Sequence, residues 1–378
     1  MNEERRSILK SLGIAATTVA LPAWAREMAP RAGRQRELRI VDAIAPLRQA
    51  STPPAEKDLQ AYLLAYFKDE THSLHLATSL DGYVFTDVNN GAPVLDGKRI
   101  AAQRGIRDPH IMRGPDNAFY LSMTDLHVYG QREGLRSTQW ERPAADYSWG
   151  NNRNLVLMKS YDLVHWTHAL VDVARAYPEA GDLGCAWAPE TILDPGTGRL
   201  MVYFTTRVKN GPNILVYAYA NDAFTRLDTA PKSLFEYPNR NVNVIDADIT
   251  RVGDKYHLFY VAHDSGGGMR HAVSNRINGG YVYEPGRVDP EKGGAEAPNV
   301  WRRLGTDVYV MMFDVFSVDP HNMGFVETRD FVTYKNLGRM NEPGSPMKSI
   351  NFERPKHGAV MHLTLAERDR LIDHFAAS

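Results

Sequence analysis

A five-bladed β-propeller, an all-β fold, is what this 378-residue sequence predicts, and three observations carry the prediction. An apolar hairpin with an acidic group at the mouth of its first strand occurs four times. The copies are GIRDPHIMRGPDNAFYLSMT (Gly105 to Thr124), CAWAPETILDPGTGRLMVYFTT (Cys185 to Thr206), VIDADITRVGDKYHLFYVAH (Val244 to His263) and AEAPNVWRRLGTDVYVMMFD (Ala295 to Asp314). A second hairpin, whose first strand ends in a small polar residue and whose second carries aromatics, occurs five times, beginning at His75, Leu155, Leu215, Met269 and Gly324. The fifth inner strand is supplied from the far end of the chain by HGAVMHLT, His357 to Thr364. Repeated four-stranded units, with the last blade closed by strands from the two ends of the chain, are the signature of a propeller. Closure hides the two sheet edges that an open array would expose. A β-sandwich of similar strand density leaves the repeated acidic entrance unexplained.

In chain order, residues 1–25 read as an export signal: Arg5 and Arg6 precede an uncharged stretch from Ser11 to Pro22 and the small-x-small pattern Ala23-Trp24-Ala25. The pair resembles a twin-arginine signal, which implies a periplasmic or secreted protein. The apolar run is short for a bilayer span, so no membrane anchor is expected once the signal is removed. Residues 26–57 are rich in Arg, Ala and Pro without sustained periodicity, and a partly disordered or surface-draped extension is expected. The propeller occupies 58–378. Leu59 to Phe67 is a near-continuous apolar run of strand length, followed by strands over Leu74 to Thr78 and Tyr83 to Val88, a three-stranded meander. Glu367 to Ala376 reads as a terminal helix. The single cysteine, Cys185, allows no internal disulfide, and a net charge of −1 gives no basic excess for nucleic acid.

The innermost strands of a propeller line its channel, so Asp108, Glu190, Asp246 with Asp248, and Glu296 are expected to crowd one cavity. Singly, each is an ordinary turn residue opening a strand. Four at one structural position are a different matter, because carboxylates sharing a desolvated space separate their pKa values. One stays ionised while another keeps its proton, which is the requirement for glycoside hydrolysis.

The motifs Arg107-Asp108-Pro109, WAPE at Trp187 to Glu190, Ile245-Asp246 and Glu296-Ala297-Pro298 resemble glycoside hydrolase family 43, over residues 58 to 364. The resemblance implies a five-bladed propeller and an inverting glycosidase. It assigns Asp108 as general base, Asp246 as the residue that tunes and orients the acid, and Glu296 as general acid. It also implies a base-to-acid separation of roughly 6.5 to 9.5 Å, wide enough for a water. Two motifs depart from the family pattern. Ala297 stands where the family usually has Gly, a change expected to matter only if the backbone there has positive φ. IDAD replaces the commoner Ile-Asp-Pro, so Asp248 rivals Asp246, and aligning Ala247 with Pro109 favours Asp246.

His357 resembles a family histidine that often faces a hydrated calcium in the channel; a buried structural histidine is the alternative. No cofactor is required by this reading, and no zinc-ligand spacing or phosphate-binding loop is present. The long insertion from Asp125 to Arg153 suits substrate contact, with Trp149, Asn152 and Arg153 as candidates beside Trp187 and Glu190. The implied partner is a neutral oligosaccharide or polysaccharide. An α-L-arabinofuranoside is the first expectation, a β-xyloside or β-galactofuranoside the alternative, and a non-catalytic sugar-binding propeller the reading from another class. The fructan hydrolases share Arg-Asp-Pro, but their separate N-terminal nucleophile motif is absent here.

Overall fold

The computed structural model describes residues 36–44, 52–264 and 267–376; the export signal falls outside them. Strand β1 (Arg39–Ile40) runs parallel along the outer edge of the first blade, and Leu38 beside it is buried, so this part of the extension is docked. Strands β2 (Ala61–Phe67), β3 (Leu74–Ser79) and β4 (Val84–Asp87) form most of the fifth blade. The first blade follows, with β5 (Ile106–Arg113), β6 (Phe119–Asp125), β7 (Asn154–Ser160) and β8 (His165–Asp172). The second comprises β9 (Trp187–Asp194), β10 (Arg199–Thr206), β11 (Ile214–Tyr219) and β12 (Lys232–Phe235). The third holds β13 (Val244–Val252), β14 (Lys255–Ala262), β15 (Met269–Ser274) and β16 (Val282–Glu284). The fourth holds β17 (Glu296–Arg302), β18 (Tyr309–Val315), β19 (Asn322–Thr328) and β20 (Lys335–Arg339). Strand β21 (Lys348–Ser349) edges β4, and β22 (Lys356–Leu363) pairs antiparallel with β2 to close the ring. The expected five blades and their closure by strands from the two ends are present.

Five apolar clusters explain why the inner strands are so hydrophobic. One lies between each pair of neighbouring blades: Met123 and Phe67 share the cluster of blades one and five, Phe204 and Leu157 that of one and two. Leu258 and Tyr203 join blades two and three, Phe313 and Phe259 three and four, Phe325 and Tyr66 four and five. A strand packed on both faces needs apolar residues at successive positions, and β2, AYLLAYF, is buried throughout. The C-terminal helix (Leu365–Ala376) adds Leu371 and Phe375 to the cluster shared by blades one and five.

The outer hairpins repeat down to side-chain hydrogen bonds. In SLDGYV, SYDLVH and TRDFVT, the hydroxyls of Ser79, Ser160 and Thr328 accept from the backbone N–H groups of Gly82, Leu163 and Phe331. Asp81, Asp162 and Asp330 each accept two further N–H groups beyond the turn. The turn residue has positive φ in all three, 76° at Gly82, 67° at Leu163 and 57° at Phe331, so at Leu163 and Phe331 the side-chain caps hold a conformation that propensity alone disfavours.

Candidate active site

Each inner strand carries the same bulge at its mouth. Between Arg107 and His110, Trp187 and Glu190, Ile245 and Asp248, Glu296 and Asn299, and Lys356 and Ala359, the strand has one residue more than its partner. A bulge re-aims side chains and leaves one residue out of the ladder. Pro109, Pro189 and Pro298, which have no N–H to donate, fit that unpaired place. The residue before each is left-handed, with φ of 51° at Asp108, 43° at Ala188 and 63° at Ala297, and so is Asp246, before Ala247, at 52°.

The common bulge sorts the acidic residues into levels, and this corrects the expectation that they share one position. Asp108 and Asp246 occupy the left-handed place itself, with His357 at the matching place of the fifth blade. Glu296 sits one residue earlier, level with Arg107, Trp187, Ile245 and Lys356. Glu190 and Asp248 lie two residues later, deeper in the channel with His110 and Asn299. Asp246, and not Asp248, is level with Asp108.

The deeper level ties blades together. His110 Nδ1 accepts from the N–H of Thr191, and Asn299 Oδ1 from that of Val360. Asp248 accepts from the N–H of Val300 and from Asn299 Nδ2 and Thr250 Oγ1. Glu190 is 2% exposed and accepts from Tyr203 Oη at 2.6 Å, while Tyr203 Oη accepts from the N–H of Ile249. Glu190 is thus a buried link between blades, and the expectation that it contacts substrate is withdrawn. Its carboxyl is pushed well above the usual range by burial, with the charge of Asp248 adding to the rise.

At the upper level the environment divides the protons. Burial opposes ionisation of Asp108, but the hydrogen bond and charge of His357, then Arg107 and Thr124, outweigh it and hold the carboxyl below its ordinary range. His357 Nδ1 lies 3.4 Å from Asp108 Oδ1, and Thr124 Oγ1 donates to Asp108 Oδ2 at 2.8 Å. Asp246 is raised to about 6 by burial and, with His357 opposing, by the Asp108 charge. Glu296 is raised to about 8, by burial first and then by the charges of Asp246 and Asp314. Asp108 is therefore held ionised and Glu296 protonated at the same end of the inner strands, the division that hydrolysis of a glycosidic bond needs.

Several site residues were not predicted as such, Arg107 among them although it opens the Arg107-Asp108-Pro109 motif. Arg107 is fixed by Asp69 at 2.7 Å and lies 4.6 Å over the Phe67 ring. Lys356 pairs with Asp314 at 2.6 Å. Asp69 sits in a polar turn and Asp314 at the end of a return strand; only three-dimensional closure brings them to the cavity. Apart from that motif, the one legible hint was Lys356 preceding His357 at the start of the closing strand.

Among the predicted substrate contacts, the tryptophans form a rim. Trp149 is 55% exposed and meets Trp187 edge to face at 5.6 Å, while Trp187 Nε1 donates to the carbonyl of Gly150. Asn152 is a correction: it is wholly buried, Nδ2 donates to the carbonyls of Asp125, Asn154 and Ala186, and Oδ1 accepts from the Ala186 N–H. With its amide fully used, it anchors the insertion instead of touching sugar. The Arg153 side chain turns to Glu141 at 3.9 Å, and no described contact joins it to the carboxylates.

The calcium expectation finds no fitting donor set. Calcium takes six to eight oxygens. Here the Asp108 and Asp248 oxygens already meet protein donors, Glu190 meets Tyr203, and His357 faces Asp108, which raises its proton affinity. Among the described residues no three His, Cys, Asp or Glu side chains converge on a metal position.

A family model described as "Probable glycosyl hydrolase domain", related to glycosyl hydrolase family 43, matches residues 57–369. The chain belongs to that family. Solved structures of similar fold include an endo-arabinase from Bacteroides thetaiotaomicron, 14% identical, TM-score 0.51, covering 77% of this chain and 96% of that one. The family-43 protein BlXynB from Bacillus licheniformis is 13% identical with a TM-score of 0.49, over 79% of this chain and 55% of that one. The catalytic domain of a family-62 α-L-arabinofuranosidase from Coprinopsis cinerea is 16% identical with a TM-score of 0.44, over 66% and 72%. A search of curated proteins gave no match. As a member of the family 43-related glycoside hydrolases, the protein is an enzyme acting on carbohydrate.

Proposed function

We propose that this glycoside hydrolase is an exported inverting enzyme for small neutral sugars, with α-L-arabinofuranosides first and β-xylosides or β-galactofuranosides as the alternative. Asp108 is the general base that takes a proton from the attacking water, and Glu296 the general acid that gives one to the leaving oxygen. Asp246, level with Asp108 and displaced less than Glu296, helps to keep Glu296 protonated and accepts the Ala297 N–H. The observation that carries this reading is the placement of Asp108, Asp246 and Glu296 at the common bulge of three inner strands, with His357 and Thr124 against Asp108; the opposite displacements of Asp108 and Glu296 from the ordinary carboxylate range agree with it. Both cations at the upper level, Arg107 and Lys356, are already paired with carboxylates, which favours an uncharged sugar over a uronic acid. Trp149, exposed beside Trp187, offers an apolar surface of the kind sugar rings stack on. A sugar-binding propeller would have no use for a separated acid and base.

The test is a panel of phenyl α-L-arabinofuranoside, β-D-xyloside and β-D-galactofuranoside, whose poor leaving group needs the proton. Cleavage of one of them by the wild type, lost on the order of 10²- to 10⁴-fold in Glu296→Gln, is the expected result. Undiminished cleavage by that variant would exclude the assignment, and no cleavage of any by the wild type would favour the binding reading. Export is tested separately: replacing Arg5 and Arg6 by Lys should trap the protein in the cytoplasm of a bacterial host.

A further inference from the structure

The second strand of each blade faces the bulge at one fixed place. In the first two blades that place holds Thr124 and Thr205, opposite Arg107 and Trp187. Each threonine does scaffolding work there: its Oγ1 accepts the N–H of the next blade's left-handed residue, Ala188 at 2.7 Å and Asp246 at 3.0 Å. In the fourth blade the same place holds Asp314, directly across the hairpin from Glu296 and 1% exposed. A buried carboxylate is a costly replacement for a hydroxyl, and the ring does not need it to close.

Asp314 is instead the start of an arc of alternating charge. Its Oδ2 pairs with Lys356 Nζ at 2.6 Å, Lys356 Nζ lies 3.9 Å from Asp69 Oδ2, and Asp69 Oδ1 pairs with Arg107 at 2.7 Å. Arg107 is the residue before Asp108. His321 Nδ1, 3.1 Å from Lys356 Nζ, is the remaining polar neighbour. The arc thus runs from Asp314, across the hairpin from Glu296, to Arg107, next to Asp108.

We infer that Asp314 is a positioning residue for catalysis: its charge, kept by the pairing with Lys356, lies across the hairpin from Glu296 and holds the proton there. The inference rests on Glu296 acting as proton donor. The charged groups that face Glu296 are Asp314 from its own hairpin, Asp246 from the third blade, Lys356 and His357 from the fifth, and Arg107 from the first. Of these, Asp314 and Asp246 alone oppose loss of the Glu296 proton, and Lys356 and Arg107 favour it.

The experiment is the pH profile of kcat/KM on the phenyl glycoside that the wild type cleaves best, with thermal unfolding followed in parallel. Asp314→Asn should move the basic limb to lower pH by about one unit, a roughly tenfold loss on that limb, with the acidic limb in place. Asp314→Glu, which keeps the charge, should return the limb towards the wild-type position. Should D314N fail to fold because Lys356 is left without its partner, the double variant D314N/K356M removes both charges, and its basic limb should also lie below that of the wild type. Reduced activity with an unmoved basic limb would make Asp314 merely structural and overturn the inference. Full activity of E296Q on the same substrate would overturn the acid assignment, and this inference with it.

Discussion

At the scale of single residues, two carboxyls are displaced in opposite directions from their ordinary range. Asp108→Asn keeps the hydrogen bond to Thr124 possible and places in the left-handed position a residue that tolerates it. Turnover should fall by about 10³-fold or more in a protein that still folds, its unfolding midpoint lowered near neutral pH and nearly unchanged in acid, as measured by steady-state kinetics and circular dichroism. Glu296 makes the complementary prediction. Its folded value of about 8 lies above the unfolded one, so its stabilising contribution is complete below about pH 4.5 and is lost as pH rises towards 8. Glutamine has no proton to lose. E296Q should therefore raise the melting temperature by a few degrees above about pH 7 and leave it unaltered near pH 4, while abolishing activity. Asp108 runs the other way: its lowered value adds stability that is present above the unfolded pKa and lost in acid. The three carboxylates at the upper level were legible because they sit in short motifs with proline or alanine beside them. Asp69, Asp314 and Lys356 were not, since their partners come from other blades and no local pattern distinguishes them from turn and strand-end residues.

At the scale of the element, the five bulges decide which side chains enter the cavity. The sequence showed the repeated acidic entrance but not the extra residue, because the hydrophobic alternation of a bulged strand resembles that of a regular one over so short a run. Glu190 and Asp248 consequently read as equals of Asp108 when they lie two residues deeper. The departure at Ala297 now has a sign. Its φ of 63° lies where a Cβ costs roughly 1–2 kcal/mol, whereas glycine adds about 0.4–1 kcal/mol of unfolded-state entropy. Ala297→Gly should therefore stabilise the protein by about 0.5–1 kcal/mol in denaturant titration, with the N–H to Asp246 retained. A loss of stability would mean that the alanine methyl makes packing contacts that outweigh the strain.

At the scale of the whole molecule, the ring is closed by β22 against β2, and the C-terminal helix is fastened over the same junction by Arg113, which pairs with Glu367 through two contacts of 2.7 Å. Leu371, fully buried on the inner face of that helix, should cost about 2–5 kcal/mol when replaced by alanine, measured by urea unfolding. The five-fold count was legible from the repeats alone, and so was the closing strand, because a propeller leaves one inner place to fill. What repetition could not show is that closure also completes the chemistry. The closing strand brings His357 to Asp108 and Lys356 to Asp314, so the last strand of the chain sets the charge at both ends of the reaction. The central claim is that Asp108 activates a water which attacks the sugar directly while Glu296 protonates the leaving oxygen. It is tested most directly by proton NMR of the anomeric signal during the first turnovers on the preferred phenyl glycoside. The account predicts that the first-formed sugar has inverted configuration and that D108N forms none; a product of retained configuration, or inversion unimpaired in D108N, would contradict it.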